Sequence, residues 1–332
     1  MKSFAAAVLL GLVAATPVSD VEYRFIEFIA KYGKTYATTE EYYMRFELFV
    51  ERDNDIQEFN RTETTSRHGH NHLSDWTKEE RAKLLGARDN SDHGVVADNY
   101  HQPRGVVPDW TTGVDWTASC DVSPVKDQGQ CGSCWAFSST GALESAYHMS
   151  LNKGCSAPVT QFSEQQLVDC VKSCFGCGGG WPGHSFYYYE SHGAYYEQNY
   201  PYTATDGTCT YVASAASNVR VSTYTKVAVN DYVALQTAIA QQPISILIDA
   251  ESSYFQSYTS GVLTNAFLCG TVMDHAVLAT GYGVQNGVNY FLVKNSWSTS
   301  WGDQGYVKIA ADASNNGQGV CLTNYGPIYP TV

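Results

Sequence analysis

The chain has 332 residues, 44% hydrophobic and 16% charged, with a formal net charge of −13. This is a globular composition with ample apolar surface for a core, which excludes a disordered or low-complexity protein. The acidic balance argues against nucleic acid, or an anionic membrane surface, as the main partner.

Residues 1–16, MKSFAAAVLLGLVAAT, place Lys2 ahead of a short apolar run and then small residues. That is the pattern of a secretory signal peptide, with Val13 and Ala15 at the −3 and −1 places of a cut after Ala15. The run is too short to span a bilayer. No second long apolar stretch follows, and Tyr329-Pro330-Thr331-Val332 carries no retention or anchor signal. The expected destination is the secretory pathway, ending in a lysosome, a vacuole or outside the cell.

From Val21 to Ile29 apolar residues recur at helical spacing and stop at Tyr32-Gly33. From Glu40 to Phe59 the residues Tyr42, Phe46, Phe49, Val50, Ile56 and Phe59 recur at three- and four-residue steps, which predicts a long amphipathic helix. Residues 86–105 are polar and irregular and read as a protease-accessible linker. Asn60-Arg61-Thr62 is an N-glycosylation sequon. All ten cysteines lie beyond residue 106, and residues 107–332 carry 16 acids and 7 bases against 17 and 13 in residues 1–106. The break predicts a removable segment, 17–106, followed by a disulfide-bearing product, 107–332, beginning near Val107-Pro108-Asp109-Trp110.

In the second block, residues 134–151 and 163–171 read as helices, the latter opened by Ser163 with Gln166 three on as a capping-box pair. Strands are expected at Val219–Val221, Ile244–Ile248, Ala276–Ala279 and Tyr290–Val293. A helical half is thus followed by a β half.

Gln128-Gly129-Gln130-Cys131-Gly132-Ser133-Cys134-Trp135-Ala136-Phe137 sets Cys134 after a Gly-Ser bend and at the start of a helix. Unpaired N–H groups and the helix dipole stabilise a thiolate there. His275 follows 141 positions later, and Asn295 161 positions after Cys134. The turn Gly283-Val284-Gln285-Asn286-Gly287 carries a hairpin signal. Reflection of the ladder about Gln285 sets position 275 opposite 295, where an amide oxygen fixes the imidazole tautomer. Two C-x-x-C pairs, Cys131/Cys134 and Cys174/Cys177, leave a four-thiolate zinc site or a redox motif as the alternative.

The C-G-S-C-W core, with His and Asn downstream, resembles the papain-like cysteine peptidases, most closely the cathepsin L type. The resemblance spans nearly the whole chain after residue 16. Glu41, Arg45, Phe49, Ile56 and Asn60 match the family's ERFNIN propeptide pattern, with Arg52 in place of its Asn. Gly69, Asn71 and Asp75 match its Gly-x-Asn-x-Phe-x-Asp motif, with Leu73 in place of Phe. What the resemblance implies is an α+β, papain-like two-domain fold, with a helical left domain, a β-barrel-like right domain and an N-terminal helical propeptide. The implied activity is cysteine-type endopeptidase action by a secreted zymogen. Cys134 would be the nucleophile, His275 the base, Asn295 its orienting group and Gln128 the oxyanion donor. Trp297 would shield the His–Asn bond, and Ser298 stands where Gly is usual. Transferred position by position, the family's disulfides pair Cys131 with Cys177, Cys170 with Cys209 and Cys269 with Cys321. Cys120–Cys155 is then expected as a fourth bridge, leaving Cys174 free.

By the same resemblance Gly180 would offer backbone hydrogen bonds to an extended substrate, and Gly179, Asp274 and Trp297 would also belong to the substrate-binding site. Trp181, Pro182, Leu247, Met273 and Gly326 would line an apolar S2 pocket that takes bulky P2 side chains and disfavours Arg. No histidine-bearing insertion interrupts residues 178–200 and no mini-chain motif is present, which favours endopeptidase over exopeptidase action. The expected partners are protein and peptide substrates and the chain's own propeptide, acting as an intramolecular inhibitor released at acid pH. A monomer needing no cofactor and no metal is expected. The competing reading from another class is a catalytically weak binding or structural relative.

Overall fold

The computed structural model describes residues 19–88, 99–102 and 107–332. The expected signal peptide and most of the expected linker lie outside them. Among the described residues, no helix is long and apolar enough to cross a membrane.

Helix α1 (Asp20–Tyr32) starts where the Ser19 hydroxyl accepts from the Glu22 N–H, and stops at Gly33, which is left-handed with φ 61°. Helix α2 (Thr39–Thr62) crosses it, and Phe25, Phe28 and Phe49 bury together between the two. Arg45 lies 3.6 Å from Glu41 and donates to Glu80 Oε1 at 2.8 Å. Glu80 also closes a complete capping box with Thr77 at the head of α3 (Lys78–Ala82). The Asn60 side chain donates to the His68 carbonyl at 2.9 Å and accepts from its N–H at 3.0 Å, within β1 (Ser66–His68). The sequon asparagine is therefore a joint of the fold. Asp75 accepts from Lys34 at 2.6 Å and from Tyr36 at 2.9 Å. The motif residues are thus the joints of this helical segment.

The rest of the chain carries β2 (Asn99–Tyr100), β3 (Val114–Asp115), α4 (Cys134–Ser150), α5 (Glu164–Cys170), α6 (Pro182–Ser191) and β4 (Thr223–Lys226). Then come α7 (Tyr232–Ile239), β5 (Ile244–Ile248), α8 (Ser253–Gln256), β6 (Tyr258–Gly261), α9 (Ala266–Cys269), β7 (His275–Gln285), β8 (Val288–Lys294), β9 (Tyr306–Ala310) and β10 (Ile328–Thr331). The main sheet runs β2-β4-β10-β5-β7-β8-β9, with β3 on β7. One core is built on this sheet, and a second gathers α4, α5 and α6 around Trp135, Phe162, Phe186 and Tyr189. The architecture is α+β, with a helical half, a β half and an N-terminal helical segment. That segment docks on the β half through the antiparallel pair β1–β6.

Several local expectations are corrected. Val219–Val221 is not a strand: the Ala194 N–H donates to the Val219 carbonyl and the Val221 N–H to that of Tyr189, so this stretch binds the helical half and the ladder starts at Thr223. Ser163 caps α5 as expected, but the Gln166 side chain does not return to it. It donates instead to the Gly193 carbonyl and accepts from the Tyr195 N–H. The β7–β8 hairpin turns at Asn286-Gly287, one and a half residues past Gln285, and its register shifts between Ala279 and Gly281. Its last ladder pair is Leu278 with Lys294, so position 275 does not face 295 across the ladder. Residues 86–88, assigned to the linker, lie in the cleft described next.

Candidate active site

Cys134 is the first residue of α4, after Ser133, with no acidic side chain in that first turn. The opening N–H groups and the dipole therefore act on its sulfur unopposed within the helix. Across the junction of the two halves, β7 begins with His275, fully buried. Its Nε2 lies 2.8 Å from Asn295 Oδ1, just beyond the end of β8. An amide oxygen only accepts, so Nε2 carries the hydrogen and Nδ1 is the basic nitrogen. Asn295 is held by its own N–H on the Gly305 carbonyl and by the Ser296 N–H on Oδ1. Thus His275 and Asn295 meet through side-chain reach past the ladder's end. Trp297, 1% exposed, lays its ring 4.7 Å from that of His275, walled by Phe255 and Trp301. Ser298 has φ +66°, the conformation that favours glycine there.

Gln128 is fully buried, and its Nε2 donates to the Leu84 carbonyl at 3.0 Å and the Cys131 carbonyl at 2.8 Å. Its Oε1 accepts from Ser296 Oγ at 2.7 Å. Sequence reasoning missed Ser296, although it lies inside Asn295-Ser296-Trp297; only the fold brings it to Gln128.

The cleft is occupied by the chain itself. The Ala87 N–H donates to the Asp274 carbonyl at 2.8 Å, the Gly180 N–H to Gly86 at 2.8 Å and the Arg88 N–H to Gly180 at 3.0 Å. This is a β-type pairing on the backbone of Gly180 and Asp274. Gly179 and Gly86 must lack side chains: a Cβ would come 2.6 Å from the Gly86 carbonyl at Gly179 and 1.8 Å from the Gly132 carbonyl at Gly86. Ala87 packs with Cys134, Trp181, Leu247 and Ala276, and Met273 and Tyr325 close the same cluster. A Cβ at Gly326 would lie 2.7 Å from Leu247 Cδ1 and 3.5 Å from the Trp181 ring. Pro182 lies outside this cluster, as the first residue of α6, while Ala276 and Tyr325 join it unanticipated.

Sealing the cleft sets its electrostatics. Burial pushes the Cys134 thiol up to about 12, against the backbone N–H groups of Ala276, Gly86 and Trp135. Burial pushes His275 down to about 4, although Asn295 favours its charged form. Burial thus disfavours the charged form of both groups while the segment is seated. Asp274 is raised to about 8 by burial; its Oδ1 accepts from the Ala250 N–H at 2.9 Å.

Disulfides join Cys131–Cys177, Cys170–Cys209, Cys269–Cys321 and Cys120–Cys155. Cys134 and Cys174 are free. The first bridge removes two of the four thiolates that the zinc alternative needs.

Comparison with known proteins gives a consistent picture. The family model described as "Papain family cysteine protease" matches residues 110–331, and "Cathepsin propeptide inhibitor domain (I29)" matches residues 25–81. Digestive cysteine proteinase 1 of Homarus americanus is 38% identical over 333 residues, covering 97% of each chain. Thiol protease aleurain of Arabidopsis thaliana is 39% identical over 316 residues, covering 93% of this chain and 84% of its own. Among solved structures, digestive procathepsin L2 proteinase from Tenebrio molitor larval midgut superposes with TM-score 0.85 at 34% identity, over 94% of this chain and all of its own. A recombinant stem bromelain precursor gives 0.83 at 33% identity, over 95% and 99%.

Proposed function

Because the chain belongs to the papain family of cysteine proteases and carries its cathepsin-type propeptide, we propose that it is a secretory-pathway zymogen of a cysteine endopeptidase, with Cys134, His275, Asn295 and Gln128 as its catalytic set. The observation that carries this is the 2.8 Å bond from His275 to Asn295, which leaves Nδ1 as the base beside the cleft where Cys134 opens α4. Residues 1–16 are the leader, 17–106 the propeptide and 107–332 the peptidase.

Catalysis follows once the propeptide leaves and water returns to the cleft. The thiol proton moves to His275 Nδ1, giving a thiolate at the helix N-terminus and an imidazolium steadied by Asn295. The sulfur attacks the scissile carbonyl, forming the C–S bond. The oxyanion is met by Gln128 Nε2 and the Cys134 N–H. His275 delivers its proton to the leaving amine as the C–N bond breaks. Water then adds to the thioester, losing a proton to His275, and the C–S bond breaks to return the thiol. In the zymogen the Leu84 carbonyl already occupies the Gln128 donor.

The apolar cluster around Ala87 supports a preference for bulky hydrophobic P2 groups. The acidic peptidase and four disulfides suit an oxidising, acidic compartment, lysosomal, vacuolar or extracellular. The protein acts as a monomer. The test is hydrolysis of internally quenched peptides by processed enzyme, beside a Cys134→Ala zymogen. No turnover by folded, processed enzyme would move the reading to a binding relative.

A further inference from the structure

Three histidines, His68, His70 and His72, alternate along the stretch that docks the propeptide on the peptidase, and two of them face the peptidase directly. His68 ends β1 at the β1–β6 seam, 5% exposed. Its ring sits between Phe59 of the propeptide at 5.0 Å and Tyr254 of the peptidase at 4.8 Å. Nδ1 is 3.1 Å from Ser257 Oγ and Nε2 is 3.1 Å from Ser66 Oγ. Ser257 Oγ spends its proton on the Ser253 carbonyl at 2.7 Å, so it accepts from the ring. The network therefore assigns the hydrogen to Nδ1 and leaves Nε2 accepting from Ser66.

A second proton would have to enter at Nε2, inside an aromatic sandwich. The charged groups facing it are few. Arg67 opposes a positive ring. Glu63, reached by the Tyr254 hydroxyl at 3.4 Å, is one group removed. No carboxylate bonds the ring itself.

His72 faces the same β half, with Nδ1 2.8 Å from Ser300 Oγ of the peptidase, next to Trp301, which packs on Phe255. Trp76 stands edge-on at 6.2 Å. Asp127 of the peptidase and Asp75 favour a charged ring, and Lys34 opposes it. Asp75 is already engaged, 2.6 Å from the Lys34 ammonium. His70 stays inside the propeptide, stacked on Phe49 at 3.9 Å and bonded to Asp53 at 3.1 Å, with Arg24 and Arg52 nearby. It is not part of the seam.

We propose that His68 and His72 form a two-proton latch that seats the propeptide when both rings are neutral and unseats it when they are protonated. The latch is the acid trigger of the zymogen. It rests on the propeptide acting as inhibitor, as proposed above.

The sign follows from burial, which lowers both rings from 6.5 to about 4 in the docked state. Between those values the released propeptide binds more protons than the docked one. Docking is therefore unaffected above about pH 6.5 and weakens as pH falls from there toward about 4. Each ring contributes up to about tenfold per pH unit.

The experiment uses full-length zymogen with Cys134→Ala, so its outcome is independent of whether the cleft hydrolyses peptides. Amide hydrogen exchange across the β1–β6 seam is followed from pH 7.5 to 4 and corrected for intrinsic rates. The seam's opening constant should rise steeply below about pH 6.5, and the slope should fall by about one logarithmic unit per pH unit for each of His68→Gln and His72→Gln. A double variant, folded and closed at pH 7.5, that keeps the parental slope overturns the latch. Should the double variant already be open at pH 7.5, the ring carbons of the parental zymogen decide by NMR titration. Rings that stay neutral below pH 5 while docked support the proposal. Rings that titrate near 6.5 while docked overturn it.

Discussion

Ser296 Oγ donates to Gln128 Oε1 at 2.7 Å, and that bond decides which end of the Gln128 amide faces the cleft. With the oxygen held, Nε2 points to the place now filled by the Leu84 carbonyl. The bond joins the loop before α4 to the loop after β8, so it also ties the two halves together at the site. Gln128→Ala should lower kcat by roughly 10²–10³-fold, the usual loss for one oxyanion donor. Ser296→Ala should cost less, on the order of tenfold, because it frees the amide without removing it. Steady-state kinetics check both; a change confined to KM would contradict this role.

Asn295→Ala removes the acceptor that holds His275 Nε2–H. Because Asn295 also favours the imidazolium, its loss should lower the basic strength of His275 and move the alkaline limb of kcat/KM, where the imidazolium of the ion pair is lost, to lower pH. His275→Ala should cost roughly 10²–10⁴-fold. A pH profile of processed Asn295→Ala enzyme with an unmoved alkaline limb would count against the orienting role.

In the zymogen, burial raises the Cys134 thiol to about 12 and lowers His275 to about 4. Neither proton has reason to move at pH 7. Alkylation of Cys134 by a small thiol reagent at pH 7 should therefore be slow before processing and fast afterwards, by at least about 10²-fold. Equal rates, measured by mass spectrometry on the same preparation, would remove the argument.

Asp75 is 2% exposed and bonds both Lys34 and Tyr36. Asp75→Ala leaves the Lys34 ammonium, mostly buried, without its carboxylate. Breaking such a pair costs about 3–5 kcal/mol. Thermal unfolding of the zymogen should show an earlier transition for the propeptide, with leaked activity at neutral pH, and the processed enzyme should be unaffected.

The S2 prediction turns on Gly326, whose absent side chain leaves Leu247 and Trp181 in place. Peptides with Leu or Phe at P2 should exceed Arg in kcat/KM, since the cluster offers an arginine no charge partner. Gly326→Leu should fill the base and cost bulky P2 substrates roughly 10–200-fold, with small P2 groups spared.

The residues of the proposed catalytic set were legible in the sequence because their settings are local: a thiol at a helix start, a histidine opening a strand, an asparagine just past the end of the next. The hairpin arithmetic brought His275 and Asn295 together by the wrong route. It took the turn centre as Gln285 instead of Asn286-Gly287 and could not see the bulge near Thr280. Val219–Val221 has strand-like composition, yet its backbone groups bond Ala194 and Tyr189, partners about thirty residues away that no local pattern encodes. The occupied cleft was hidden for the same reason. Gly86-Ala87-Arg88 looks like the start of a loop, and only the fold lays it against Gly180 and Asp274. Ser296 was in plain view beside Asn295, but its partner Gln128 is 168 residues away.

The central claim is that Cys134 is a nucleophile masked by the chain's own propeptide. The most direct measurement incubates purified zymogen at acid pH with an epoxysuccinyl thiol probe, records intact mass over time and maps the label. The account predicts one label, on Cys134, appearing in step with loss of the propeptide. Correctly folded, processed protein with no label on Cys134, or full labelling while the propeptide is still seated, would contradict it.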